Sequence, residues 1–397
     1  MAEARLTAAD WSKRADLATL VAALDPESLG LVRYVGGAVR DTLLGLPIKD
    51  IDMATPLEPP AVIARLDAAG IRNVPTGLAH GTVTALTAGG PVEITTLRRD
   101  VSTDGRHATV AFSTKWEEDA ARRDFTINAL YADPRDLSVH DYFGGMADLA
   151  ARRLRFIGDA EARIREDFLR ILRYFRFQAR FGSLPADAAA EAACAALAQG
   201  LKGLSRERIA SELLALLALP DPAPTVTRMA QLGVLAVILP EADPAALAPL
   251  IAAEQAHGIA PEALRRFAAL LPADPDGAEL VGARLRLSIA QRKHIALVAG
   301  RTVPEESPRP LAYKVGREAA IDRLLITGGS LAPLGGWDIP RFPLKGGAIV
   351  ARGISAGPAI ARIRRAVEAR WVAEGFPDET RVTALLDAEI GSGSDLV

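Results

Sequence analysis

The stretch Gly36-Gly37-Ala38-Val39-Arg40-Asp41, followed nine residues later by Asp50-Ile51-Asp52, constrains this chain most. A short strand from Val32 to Val35 runs into the glycine pair, and an apolar helical pattern at Val39, Leu43 and Leu44 runs out of it. Gly45 and Pro47 then break the helix. On a strand, alternation puts Asp50 and Asp52 on one face and Ile51 and Met53 in a core. Backbone N–H groups at a glycine-led helix start bind phosphate oxygens, and paired carboxylates hold a hard cation such as Mg²⁺. The stretch therefore predicts a site for a metal-bound triphosphate.

The flanking pattern predicts the rest of a small mixed sheet. Residues 5–24 read as a helix with an apolar stripe at Leu17, Leu20, Val21 and Leu24, and Pro59 to Ala69 as another. Strands are expected at 71–76, 81–86 and 92–97, with Gly89-Gly90 as the last turn. Glu93 faces away from Val92 and Ile94, which makes it a candidate third carboxylate; taken alone, a strand glutamate is more often only solvent-exposed. The polar, glycine-marked residues 98–107 predict a mobile loop, 109–112 a strand, 116–131 a helix and 139–142 a last strand. Beyond about 140 the chain turns to Ala-, Leu- and Arg-rich helical patterns, ending in a helix at about 359–374 and a Gly-Ser-Gly-Ser-Asp terminus expected to be disordered.

A second constellation lies at 166–176. On one continuous helix, Asp167, Arg170, Arg173 and Arg176 share a face while Leu169, Leu172 and Phe175 are buried. The helix alone favours a solvated amphipathic face. The sharper reading is that an acceptor and a donor three residues apart meet one planar base edge, and that arginine forks meet phosphates. Between 152 and 208 the chain carries twelve Lys/Arg against seven Asp/Glu, a basic patch in a protein of formal charge −2. A polyanion would bind such a patch, not a whole-protein field.

One cysteine, Cys194, excludes an internal disulfide framework and a cysteine-based zinc site, and its alanine-rich setting predicts a buried inert thiol. No run approaches the roughly 18 apolar residues of a membrane span. The start, Met-Ala-Glu-Ala-Arg-Leu, lacks the pattern of a secretory signal. A cytoplasmic protein is expected.

Taken in series, these segments resemble the class II tRNA nucleotidyltransferase/poly(A) polymerase family. They are Gly36 to Asp41 with Asp50-Ile51-Asp52; Arg122-Arg123-Asp124-Phe125-Thr126-Ile127-Asn128; Glu166-Asp167 with Arg170 and Arg173; Leu204 to Ile209 with Glu212; and Pro343 to Gly346 with Gly353 and Gly357-Pro358. The resemblance spans about residues 32–374, and five motifs in order outweigh the plainer reading of the basic helix. It implies an α+β protein: a nucleotidyltransferase head at 1–140, then an all-α neck (141–222), body (223–335) and tRNA-holding tail (336–397). Asp50 and Asp52 would hold Mg²⁺, with Glu93 the third carboxylate. Gly36, Gly37 and Arg40 would meet the nucleotide phosphates, and Arg123 with Asp124 its sugar and phosphates. Asp167 and Arg170 would select C or A by their Watson–Crick edges, with Arg173 and Arg176 as nucleotide-binding neighbours.

The implied reaction adds C, C and A to tRNA from CTP and ATP without a nucleic-acid template; no protein partner and no membrane is implied. The segment 98–107, altered or absent in CC-adding members, looks intact, which favours the full CCA activity. An A-adding enzyme or poly(A) polymerase shares these motifs. A catalytically silent RNA-binding protein and a transferase acting on a small molecule remain as rivals.

Overall fold

A computed structural model describes residues 4–392 apart from 8, 105, 106, 306 and 356. The chain forms two compact units, residues 1–240 and 241–397. Strands of the first unit are β1 (Arg33–Val35), β2 (Ile51–Thr55), β3 (Asn73–Gly77), β4 (Thr82–Thr87), β5 (Gly90–Thr96), β6 (Arg98–Asp104), β7 (His107–Phe112), β8 (Leu130–Ala132) and β9 (Val139–Asp141). Seven of them make one mixed sheet in the order β3-β4-β5-β2-β1-β8-β9. Its one parallel pairing, β2 with β5, puts Asp52 opposite Glu93. The antiparallel β1–β2 pairing puts Val35 opposite Asp52, so the chain leaves β1 through Gly36-Gly37 right beside that carboxylate. Alternation behaves as expected, with Ile51 and Met53 buried and Asp52 partly exposed.

Aromatic packing fixes the long helix Leu169–Phe181 against the sheet unit. Phe125 sits 4.9 Å from Phe156 and 5.4 Å from Phe177, and Phe156 stacks on Tyr174 at 5.7 Å. Each such ring buries on the order of 150–250 Å², so this cluster dominates the local energetics. Leu169, Leu172 and Phe175 are buried as predicted. Cys194 is buried too, and burial pushes its thiol well above the ordinary value.

The second unit is helical. Leu250, Ala269 and Leu325 share one core cluster, and Leu344, Ile363, Val367, Trp371 and Leu385 another. Charges are buried here as well: Glu254 takes both Arg265 and Arg266, and Arg265 also reaches Asp322 at 2.6 Å. Among the described residues no helix is long and apolar enough to cross a membrane.

Several expectations need correction. The helix expected over 5–24 begins only at Ala15, because Arg5 bridges to Ser138 at the sheet edge. The helix expected over 116–131 ends at Ala121, where Arg122 and Arg123 turn back onto Asp119, and the chain enters β8 at Leu130. The loop expected over 98–107 is instead a paired ribbon, β6 against β7 from Arg98–Phe112 to Asp104–His107. Beyond the expected last helix, seen as Pro358–Ala373, lies another at Glu379–Ser392. The Ser-Gly-Ser-Asp terminus falls mostly outside the described residues.

Candidate active site

The β1 turn, the Gly37–Leu43 helix, the segment 122–128 and the Leu169–Phe181 helix converge on a cleft of about 530 Å³. Of the residues expected from sequence, Gly36, Gly37, Arg40, Asp52, Arg123, Asp124, Asp167, Arg170 and Arg173 line it, joined by Arg98, Arg122, Asn128 and Phe177. Asp50, Glu93 and Arg176 do not line it. Asp50 stands exposed one residue before β2, Glu93 is exposed on β5, and Arg176 is turned to Glu212 at 2.6 Å.

Gly36 has φ +68, a left-handed conformation that disfavours any side chain, and a Cβ there would come within 3.6 Å of the Arg123 guanidinium. The turn therefore presents backbone to the cleft. On the adjoining strand, burial first, then Glu93 and Asp50, push the Asp52 carboxyl up to about 6, with Arg123 opposing. Crowded carboxylates offering only oxygen donors suit a divalent cation, whose charge would offset their repulsion. These residues fit a hard metal ion.

Each arginine that lines the cleft is held by a partner. Arg40 donates to Asp41 at 2.7 Å and to Asn128 Oδ1 at 2.6 Å, and lies over the Phe181 ring at 4.3 Å. Asn128 Nδ2 donates to Asp124 Oδ1 at 2.9 Å, and Asp124 Oδ2 accepts from Arg173 at 2.8 Å. Although burial opposes it, Arg173 and Asn128 hold the Asp124 carboxyl below its ordinary value. Arg180 closes the circuit onto Asp41 at 3.1 Å. The Gly37–Leu43 helix, the segment 122–128 and the Leu169–Phe181 helix are thereby tied into one network.

Asp119 was not legible as part of the site, yet it is buried and orients both Arg122 (2.7 Å) and Arg123 (3.1 Å), with Tyr131 donating to it at 2.7 Å. Burial alone would raise its carboxyl; Arg123 and Arg122 hold it down to about 2. Its spacing of three and four residues to these arginines was the available signal. Asp167 also differs from expectation. It is the extended residue between the helices Ala160–Glu166 and Leu169–Phe181, not a member of one continuous helix. Its Oδ1 accepts from the Leu169 N–H at 3.0 Å, a local bond that competes with helix.

In the second unit, donor atoms of Glu262, His294 and Asp322 lie within 4.8 Å of one another. Glu262 caps the Arg265 N–H and Asp322 pairs with the Arg265 side chain, so the group reads as a charge network.

Residues 32–155 match the family model described as the poly A polymerase head domain, and 187–246 that of a probable RNA- and SrmB-binding site of polymerase A. The mitochondrial CCA tRNA nucleotidyltransferase 1 of Mus musculus is 35% identical over 366 residues, covering 87% of this chain and 83% of that protein. The Homo sapiens counterpart is 36% identical over 371 residues, covering 88% and 84%. Among solved structures, the Bacillus stearothermophilus CCA-adding enzyme in complex with CTP superposes with TM-score 0.74 at 25% identity, covering 95% of this chain and 98% of that one.

The expected cytoplasmic location is corrected by these relatives, since the mouse, human and zebrafish proteins are mitochondrial by name. The lack of a secretory pattern could not decide the matter, because organelle addresses follow other rules. With 35–36% identity to relatives over aligned stretches that cover most of both chains, this chain belongs to the tRNA nucleotidyltransferase/poly(A) polymerase family.

Proposed function

We propose that the protein adds C, C and A to the 3′ end of tRNA from CTP and ATP, without a nucleic-acid template. The observation that carries this reading is the shared cleft. Asp167 and Arg170, an acceptor and a donor for a base edge, line the same cavity as Asp52, Gly37 and Arg123. C and A present an amino donor at the position where U and G present a carbonyl, so a carboxylate acceptor facing that position favours them over U and G. In the reaction the 3′-oxygen of tRNA bonds to the α-phosphorus, the α–β bridging bond breaks and pyrophosphate leaves.

Asp50 and Asp52, with Glu93, are the residues that would hold Mg²⁺, which when bound activates the attacking hydroxyl and neutralises the leaving pyrophosphate. Arg123, set by Asp119, and the backbone of Gly36-Gly37 take the triphosphate and sugar. Arg40, Asp124, Arg173 and Arg176 hold this frame through Asn128 and Glu212.

The same reading assigns transfer to a head at 1–140, base selection to a neck at 141–222, and tRNA binding to a body at 223–335 and a tail at 336–397. Arg362, Arg364, Arg365 and Arg370, exposed on the helix Pro358–Ala373, support a tail that meets phosphates.

The test supplies tRNA lacking its 3′ end with each labelled nucleotide singly and then in combination. A CCA-adding enzyme consumes CTP twice and ATP only afterwards. Incorporation of ATP alone would replace this reading by A-addition or polyadenylation. No pyrophosphate release under any combination would leave an RNA-binding protein.

A further inference from the structure

The two groups assigned to read the base are each held by a counter-charge from the chain itself. Asp167 Oδ2 accepts from Arg208 Nη2 at 2.6 Å, and its Oδ1 accepts from the Leu169 N–H at 3.0 Å. Arg170 Nη1 donates to Glu166 Oε2 at 2.5 Å and to the Arg163 carbonyl at 2.9 Å, and Nη2 to the Arg122 carbonyl at 3.3 Å. The partner of Arg170 is its own neighbour in sequence. The partner of Asp167 comes from a separate element, the helix Arg206–Leu217, which packs along Leu169–Phe181. That helix also supplies Glu212, which accepts from Arg176 and forms an ion pair with Arg173 at 3.7 Å.

A carboxylate offers about four acceptor directions. The Leu169 N–H fixes one oxygen of Asp167 but leaves the group free to swing about that contact. Arg208 fixes the other oxygen and so sets the carboxylate plane, while leaving acceptor directions open to the cleft that Asp167 lines. Orientation decides selectivity here. U and G place a carbonyl where C and A place an amino group, and only a carboxylate that cannot turn away makes that carbonyl costly.

The geometry points to Arg208 as a positioning residue that fixes Asp167 and thereby sets discrimination of C and A against U and G. The inference rests on the base-reading role proposed above for Asp167. Arg208 touches no reacting atom, and its side chain is 41% exposed, so the pair contributes little to folding stability.

The experiment compares the full-length protein with Arg208→Gln and Arg208→Lys. Incorporation of CTP, ATP, UTP and GTP into tRNA lacking its 3′ end is measured, with dissociation constants for CTP and UTP in the absence of tRNA. For Arg208→Gln, KM for CTP and ATP rises and the CTP-to-UTP ratio of kcat/KM falls, each by roughly 10- to 100-fold, the scale of one charge-assisted hydrogen bond. The kcat values stay within about threefold. Arg208→Lys keeps the charge and recovers most of the selectivity. Unchanged selectivity in Arg208→Gln overturns the inference. So does a kcat loss common to all four nucleotides with a lowered unfolding midpoint, which marks a merely structural residue. If the unmodified protein incorporates neither CTP nor ATP, the proposed function fails by itself. The CTP and UTP dissociation constants of the variants then still decide the role of Arg208.

Discussion

Asp52 stands opposite Glu93 across the parallel β2–β5 pair, so two strands far apart in sequence bring two carboxylates side by side. Burial, and after it the repulsion from Glu93, pushes Asp52 up to about 6. If these oxygens hold the divalent cation, Asp52→Asn lowers nucleotide incorporation by roughly a thousandfold or more, the scale of losing a metal or oxyanion-type stabilisation. Glu93→Gln keeps the shape and removes one charge. Its loss is smaller, roughly 10- to 100-fold, and is partly recovered at higher Mg²⁺. Filter binding of tRNA is unchanged in both. A Glu93→Gln enzyme indistinguishable from the unmodified one at every Mg²⁺ concentration would show Glu93 to be an ordinary exposed strand residue.

Asn128 bridges two parts of the cleft, accepting from Arg40 and donating to Asp124. All three are buried. Asn128→Ala leaves an Arg40 guanidinium N–H without its acceptor and removes one of the two hydrogen bonds to Asp124 Oδ1, which keeps the Phe125 N–H, at a cost of about 1–3 kcal/mol. In a unit of this size that lowers the unfolding midpoint by roughly 2–10 °C. KM for both nucleotides rises, because Arg40 and Asp124 lose their fixed positions. Circular dichroism melting with steady-state kinetics checks this; a stable variant with unchanged KM would show that the bridge is dispensable.

How much of this was legible depends on the range of the interaction. The β2 strand and the facing of Asp52 followed from period-two alternation, and the buried face of the Leu169–Phe181 helix from its 3.6-residue repeat, both local signals. The contacts that organise the cleft are not local. Arg40 meets Asn128 across 88 residues, Arg176 meets Glu212 across 36 and Arg208 meets Asp167 across 41. No spacing rule connects them. The misreading of Asp167 has a different cause: a helical pattern ran through it, and a bond from its own side chain to the Leu169 N–H won. Residues 98–107 were misread because charge and glycine suggest a loop, whereas Val101, Thr103, Thr109 and Val110 are β-branched and the two segments pair with each other.

The β6–β7 ribbon is separable from the main sheet, to which it is not paired. Arg99 lies opposite Ala111, so a two-residue Asn-Gly turn can replace residues 100–110 and close the shortened hairpin. If an intact segment is what permits the switch to ATP, this deletion leaves both C additions within a few-fold of the original and abolishes addition of A. Single-nucleotide gels of the tRNA 3′ end read the outcome directly. Retained A addition would remove the ribbon from the specificity machinery.

In the second unit His294 Nε2 lies 2.8 Å from Asp322 Oδ2, and Asp322 is itself held by Arg265. Glu262 and Glu318 also face the ring electrostatically. The hydrogen bond to Asp322 raises the His294 pKa, and burial opposes the rise. A pKa raised on folding means that the protonated form is the one bound better. The resulting stability is fully present below the unfolded value of about 6.5 and is lost as pH climbs through the folded value. His294→Gln therefore costs most at pH 5.5, on the order of 1 kcal/mol, and progressively less toward pH 8.5. Urea denaturation of both proteins across that range gives the difference at each pH. A difference that grows with pH instead would mean that the neutral imidazole is the form held against Asp322.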